Sequence, residues 1–364
     1  MRRSTLHFAV FLFALATLAA ACTSAGAESQ QLTSSTTTTT TTAPPTTTTT
    51  TAPPTTTTTT TTAPAPVVAA DTINGVPSSD AEAKGRRVIA VKIDNHPHAR
   101  PQTGVQEADA VYELLVEGGL TRFIALFHVA DSEPVGPVRS GRPTDGTLIR
   151  PMDSPFQVSG AQAWVQRVLS DVNVIYDNGT TTFRDDRRER PNNLYSTTDS
   201  IRQYADERGW SDDPPAPLFG FTEPGAIEGE AATLITLNWS DHPLVRWRWT
   251  GEKYLRFNAS EPHLWVTADG AIGQVSADTI VIMMARRYTA SPNGQGTPVP
   301  ALETVGSGEA LIIHDGEYVT GTWTRESDLE PFLLLDEGGD EIQVPAGKLW
   351  MAIFPDNRPV TIEG

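Results

Sequence analysis

The feature that most constrains this chain is a stretch that cannot build a core. Thr36–Thr42, Thr46–Thr51 and Thr55–Thr62 are unbroken threonine runs, separated by Ala-Pro-Pro at 43–45 and 52–54 and closed by Ala63-Pro64-Ala65-Pro66. Such a stretch has no apolar face to bury, so nothing offsets the entropy of ordering it. Proline favours an extended, semi-stiff conformation, and Ser/Thr-rich segments with Pro are common acceptors of O-linked sugars. The expectation is a disordered tether. At roughly 3.1 Å per residue, about 45 extended residues reach on the order of 140 Å. Of the 364 residues, roughly 290 remain to fold, from about Asp71 to Gly364.

The tether is preceded by a targeting pattern. Arg2 and Arg3 open the chain, and Phe8 to Ala21 is apolar, a length that suits a secretory h-region and is short for a bilayer span. It ends in Leu18-Ala19-Ala20-Ala21-Cys22, which matches the bacterial lipobox, where the Cys takes a lipid and becomes the new N-terminus. Residues 1–21 are therefore expected to be a signal peptide, Cys22 the lipidation site, and 22–70 the lipidated Cys and tether. Acyl chains then anchor the body on the extracytoplasmic face of the membrane without a protein span. Cys22 is the sole cysteine, so a disulfide framework and a Cys-based zinc site are excluded. The formal charge of −17 argues against a nucleic-acid partner, which needs a basic face.

The body reads as α+β: a mixed α/β domain over 71–215 and a β-rich domain over 225–360. Arg87–Ile93 is a buried-strand pattern. Ala110–Val116 and Thr121–Val129 suit a hairpin turning at Gly118-Gly119. Ala161–Leu169 and Thr198–Arg208 look helical, the second with Thr198 or Asp199 as N-cap and Gly209 just past its end. Asp212-Asp213-Pro214-Pro215 and Glu223-Pro224-Gly225 break regular structure between the halves. The second half has many short apolar or alternating runs, among them Val245–Trp249, Thr279–Met284 and Leu349–Phe354, which suggest a curled sheet or barrel-like unit.

Local patterns of the body resemble the YerB-like family of bacterial lipoproteins, whose domain function is unassigned. The stretches that carry the resemblance are Val91-Lys92-Ile93-Asp94-Asn95, Ala99-Arg100-Pro101-Gln102-Thr103-Gly104, Ala108-Asp109-Ala110-Val111-Tyr112-Glu113 and Gly136-Pro137-Val138-Arg139-Ser140-Gly141-Arg142. Asn193-Leu194-Tyr195, Glu261-Pro262-His263 and Gly347-Lys348-Leu349-Trp350 follow. The resemblance implies an N-terminal α/β domain and a C-terminal β-rich domain, and supplies no catalytic residue.

Asp94, Arg100, Glu113, Glu117, Arg122, Arg139 and Arg142 sit beside strand ends or glycine turns, where a rigid sheet aims loop side chains. Such arginines are fitted to clamp an anionic or sugar ligand, with Asn193 and Tyr195 as further binding candidates. The rival reading is an internal ion-pair network. Asp94, Glu113 and Glu117 are also the catalytic candidates for a cell-wall hydrolase. On one strand, however, Glu113 and Glu117 would lie roughly 13 Å apart, too far for paired-carboxylate chemistry. His96-Pro97-His98 reads as a surface turn rather than a metal site, and Ser140 lacks a nucleophile elbow. The mixed run Arg184–Arg190 reads as a solvated loop. No nucleotide or other cofactor motif is present. The leading expectation is a binding or scaffold role at the cell envelope, with peptidoglycan or an envelope protein as partner. Hydrolysis and capture of a small anion are the alternatives.

Overall fold

A computed structural model describes residues 67, 68 and 71–364, except 226 and 243. The signal segment, Cys22 and the threonine runs lie outside the described residues. The strands used below are, in chain order, β1 (Ile89–Asp94), β2 (Ala110–Leu115), β3 (Thr121–Phe127), β4 (Phe156–Gln157), β5 (Val174–Ile175), β6 (Leu234–Leu237), β7 (Val245–Trp249), β8 (Tyr254–Asn258), β9 (Thr279–Ala285), β10 (Gly306–His314), β11 (Glu317–Arg325), β12 (Leu349–Pro355) and β13 (Val360–Glu363). Three helices matter: α1 (Pro143–Ile149), α2 (Ala163–Val168) and α3 (Thr198–Glu207).

The α+β reading holds, with strands far outnumbering helices. The hairpin forms as β2 and β3, and Gly118 and Gly119 take φ of 69° and 71° at its turn. Helix α3 starts at Thr198 as read from sequence, but its cap lies one residue earlier than expected, because the Thr197 hydroxyl accepts from the Ser200 N–H at 3.1 Å. Helix α1 was not foreseen. Its start is set by Pro143 in the first turn and by Asp145, whose carboxylate accepts from the Arg142 N–H at 2.7 Å.

A barrel-like second half does not form. One eleven-stranded sheet runs β11–β10–β9–β12–β2–β3–β1–β4–β5, with Glu230–Ala231 and Leu333–Leu335 both pairing with β11. A second sheet takes β8, β7, β6 and β13 in that order. The reason lies in β12. It reads Leu-Trp-Met-Ala-Ile-Phe-Pro and every residue is buried, so it needs partners on both edges and cover on both faces. It obtains them by running parallel to β9 on one edge and to β2 on the other. The break near 215–225 thus separates two stretches of sequence that share one sheet.

Alternation along the strands feeds two cores. Ile89, Val91 and Ile93 face the second sheet and α3, packing with Ile235, Trp247 and Ile201. Val88 and Ala90 face the other way, toward Leu148 and Ile149 of α1 and toward Phe221. In β7, Trp247 is fully buried and Arg248 is exposed, as its alternating sequence requires.

A buried ion pair crosses between the halves. Arg256 of β8 donates from Nη2 to Glu113 Oε1 of β2 at 2.6 Å, and neither side chain has solvent exposure. Glu113 also accepts from the Thr121 hydroxyl at 2.7 Å and from the Trp350 indole at 3.0 Å. The guanidinium lies 5.4 to 5.9 Å from the rings of Phe123, Trp350 and Trp247. Its other arm bonds His263 Nδ1 and Asn258 Oδ1, and His263 Nε2 meets Gln102 Oε1 at 2.8 Å. Removing one partner strands a buried charge, at a cost of about 3–5 kcal/mol. Arg256→Met is therefore expected to lower the unfolding free energy by about that amount, with Arg256→Met/Glu113→Gln recovering most of it, in urea titrations of both variants. A loss under about 1 kcal/mol in the single variant would show that the pair does not hold the halves together.

Candidate functional site

The loop after β1 carries Asn95 to Arg100 and is fixed from below by the buried network. Gln102 donates to the Asp94 carbonyl at 3.0 Å, and Asn95 Nδ2 donates to the Thr121 hydroxyl at 2.8 Å. Arg100 in turn donates to Asn95 Oδ1 and to the Asn95 carbonyl, both at 3.0 Å. His96 starts a single 3-10 turn, with Nδ1 accepting from the His98 N–H at 3.2 Å.

Against this loop lies the segment Arg187–Asn192. Arg188 spans the gap: Nη1 donates to the Pro101 carbonyl at 3.1 Å and to the Tyr195 hydroxyl, and Nη2 to the carbonyls of Arg100 at 3.1 Å and His98 at 3.4 Å, so its terminal N–H groups are all engaged and it offers the cleft charge rather than a free fork. The two segments and Arg139 line an open cleft of about 670 Å3. Five arginines face it (Arg100, Arg139, Arg187, Arg188 and Arg190), joined by His96 and His98 and countered by the single carboxylate Glu189. The run read as a solvated loop is thus one wall of a basic cleft on an acidic chain.

The charge balance inside the cleft is incomplete. Arg139 is paired with Asp94 at 2.8 Å and Arg187 with Asp185 at 2.9 Å. Arg100 and Arg188 are each about half-buried and donate only to neutral oxygens. Burial, with Arg256 nearby, lowers the Arg100 guanidinium to about 10. Asn192 is nine-tenths buried on the same wall, and its Oδ1 has no partner among the described residues. Glu113 and Asp94 offset part of the Arg100 charge, and Asp185 part of that of Arg188, without bonding either guanidinium directly, and an anion at hydrogen-bond range would add the direct anionic partner that each lacks.

The other anticipated residues fall in three places. Arg122 and Arg142 turn inward. Arg122 donates to the Ser140 carbonyl at 2.7 Å and lies 3.7 Å from Asp94, and burial with the neighbouring Arg142 lowers it to about 10. Arg142 pairs with Glu117 at 2.7 Å. Burial raises the Glu117 carboxyl, but Arg142 outweighs it and holds the group below its usual range, the wrong direction for a general acid. Glu113 is sealed in the interior with both oxygens engaged, so no substrate reaches it. Asp94 is buried beside two arginines. Asn193 is buried and accepts from Arg184 at 2.9 Å, and Tyr195 is buried beneath Arg188. The carboxylates proposed as catalytic are thus members of ion pairs, and Arg100 and Arg139 alone among the anticipated binding residues line the cleft.

Sequence reasoning passed over Arg187, Arg188 and Arg190 as site residues. It also missed Lys92, which is fully buried and bonded to Asp145 at 2.6 Å beside the Arg122–Arg142 pair.

The fold is an α+β body in which loops beside the strand ends of a large mixed sheet form an arginine-lined cleft. The chain belongs to the family described as "Protein of unknown function (DUF3048)": the N-terminal domain matches residues 73–211 and the C-terminal domain 235–351. It is 27% identical over 278 residues to "Putative lipoprotein YerB" of Bacillus subtilis (strain 168), covering 74% of this chain and 82% of that protein. The crystal structure of YerB protein from Bacillus subtilis superposes with a TM-score of 0.66 at 25% identity, over 79% of this chain and 98% of that one.

Burial lowers the Lys92 ammonium from 10.5 to about 8, against the pull of Asp145. Between those values the unfolded chain holds more protons than the folded one, so this group makes stability rise with pH across the window. Denaturant midpoints of wild type and Lys92→Met, measured from pH 7.5 to 10.5, are expected to diverge in favour of wild type as pH rises. A constant gap would show that Lys92 keeps its proton throughout.

Proposed function

We propose that this protein is a lipid-anchored extracytoplasmic binding protein whose receptive surface is the arginine cleft, taking an anionic component of the cell envelope. The observation that carries this reading is the pair Arg100 and Arg188, half-buried cations bonded only to neutral oxygens in an open cleft. Planar guanidinium forks suit carboxylate or phosphate oxygens. Arg190 adds an exposed cation at the rim. The lipobox at Cys22 and the threonine-proline stretch supply the anchor and the reach. Tethering raises the local concentration of a fixed target, so modest affinity per site suffices.

Two experiments test the reading. In the first, full chain is titrated with inorganic phosphate at low ionic strength by calorimetry. Saturable binding is expected, weakened about tenfold by Arg190→Ala, the loss of one charge-assisted contact, with the melting temperature unchanged. No saturable binding, or binding indifferent to Arg190→Ala and Arg188→Gln alike, overturns the cleft as the site. In the second, cells expressing Cys22→Ala are fractionated. The wild-type chain is expected with membranes and the variant in the soluble fraction, and membrane retention of the variant overturns the lipid anchor.

A further inference from the structure

A second cleft adjoins the first. It has a volume of about 350 Å3 and shares two lining residues with the arginine cleft, Pro97 and Arg100. Arg100 therefore stands at the junction, with the basic wall on one side and the second cleft on the other.

The second cleft has a different chemistry. Its walls come from both halves of the chain: the turn Gly119-Leu120 on one side, and Trp239, Ser240, His242 and Val245 on the other. The two sides are in close contact. The Ser240 hydroxyl donates to the Gly119 carbonyl at 2.7 Å, and a Cβ on Gly119 would stand 2.6 Å from Ser240 Oγ and 2.7 Å from the His242 ring. With φ of 71° as well, position 119 is held to glycine, and that fixes the shape of the cleft. Leu120 gives the accessible apolar surface and Val245 and Trp239 reach the cleft only at their edges, while Asn258, Ser240 and His242 place amide, hydroxyl and imidazole groups around it. Trp239 is almost wholly buried, and its indole N–H has no partner among the described residues.

An apolar wall with a few separated polar groups is the lining that fits a pyranose ring, which has apolar faces and hydroxyl edges. The volume holds one such ring. Charge is absent from the second cleft except at its margins, Arg100 and Glu261. Carrying the reading of the arginine cleft forward, on which this step rests, we infer that the ligand is a phosphorylated saccharide. Its phosphate lies against Arg100, Arg188 and Arg190, and its sugar ring lies between Leu120 and Trp239. Arg100 contacts both parts.

The test is calorimetric titration of the full chain with glucose 1-phosphate, inorganic phosphate and glucose, for wild type, Leu120→Trp and Arg190→Ala. Leu120 is only partly buried, so the larger side chain fills the second cleft without entering a core. Glucose 1-phosphate is expected to bind at least tenfold more tightly than inorganic phosphate. Leu120→Trp is expected to remove that advantage while leaving phosphate affinity within twofold, and Arg190→Ala to weaken both phosphates. Equal affinity for the two phosphates in wild type, or an advantage that survives Leu120→Trp, overturns the saccharide assignment and leaves the arginine cleft standing. Failure of both phosphates to bind overturns the arginine cleft and the saccharide assignment together.

Discussion

The buried pair between Glu113 and Arg256 is the interaction on which the rest of the arrangement depends. Two ions removed from water are unfavourable unless each remaining lone pair and proton is met. Here Thr121 and Trp350 complete Glu113, while His263, Asn258 and three aromatic rings surround Arg256, whose Nε–H is left without a partner among the described residues. The consequence is directional. From Arg256 the bonds run through His263 to Gln102, from Gln102 to the Asp94 carbonyl and Asn95, and from Asn95 to Arg100. The network that joins the halves therefore also sets the loop that places Arg100 at the junction of the two clefts.

The same chain of contacts explains what the sequence disclosed and what it did not. The β2–β3 hairpin, β7 and α3 were legible because their signals are local: alternation, a glycine turn, and a hydroxyl at a helix start. The position of β12 was not. A wholly apolar strand announces burial on both faces but not its neighbours, and its partner Ala110–Leu115 lies far away in sequence. The barrel-like alternative for the second half failed for that reason. Asp94 and Arg122 were singled out individually, and their meeting follows from the β1–β3 register, in which they are directly opposite.

The cleft was half legible. Arg100 and Arg139 stood out beside strand ends, but the opposite wall looked like solvated charge, because acids and bases alternate through 184–190. What turns that run into a wall is the reach of Arg188 to carbonyls nearly ninety residues away. Arg256 gave no local sign either. Inside Tyr-Leu-Arg-Phe-Asn the apolar Leu255 and Phe257 suggest that their face is the inner one, yet the buried face is the other, which Arg256 shares with Tyr254.

Electrostatics then bears on how an anion reaches such a site. The chain as a whole is strongly acidic, so its distant field repels the anions proposed as ligands of the cleft. At physiological salt that field is screened over about 8 Å, whereas contacts to half-buried guanidinium groups act at hydrogen-bond range. Recognition is therefore short-ranged. Long-range steering toward the acidic body would not assist the proposed binding, and selectivity would fall to the remaining donors of Arg100, to the exposed Arg190 and to what adjoins them. The proposed ligand meets both conditions, with its anionic group presented singly at the end of a shape that the neighbouring cleft would accept.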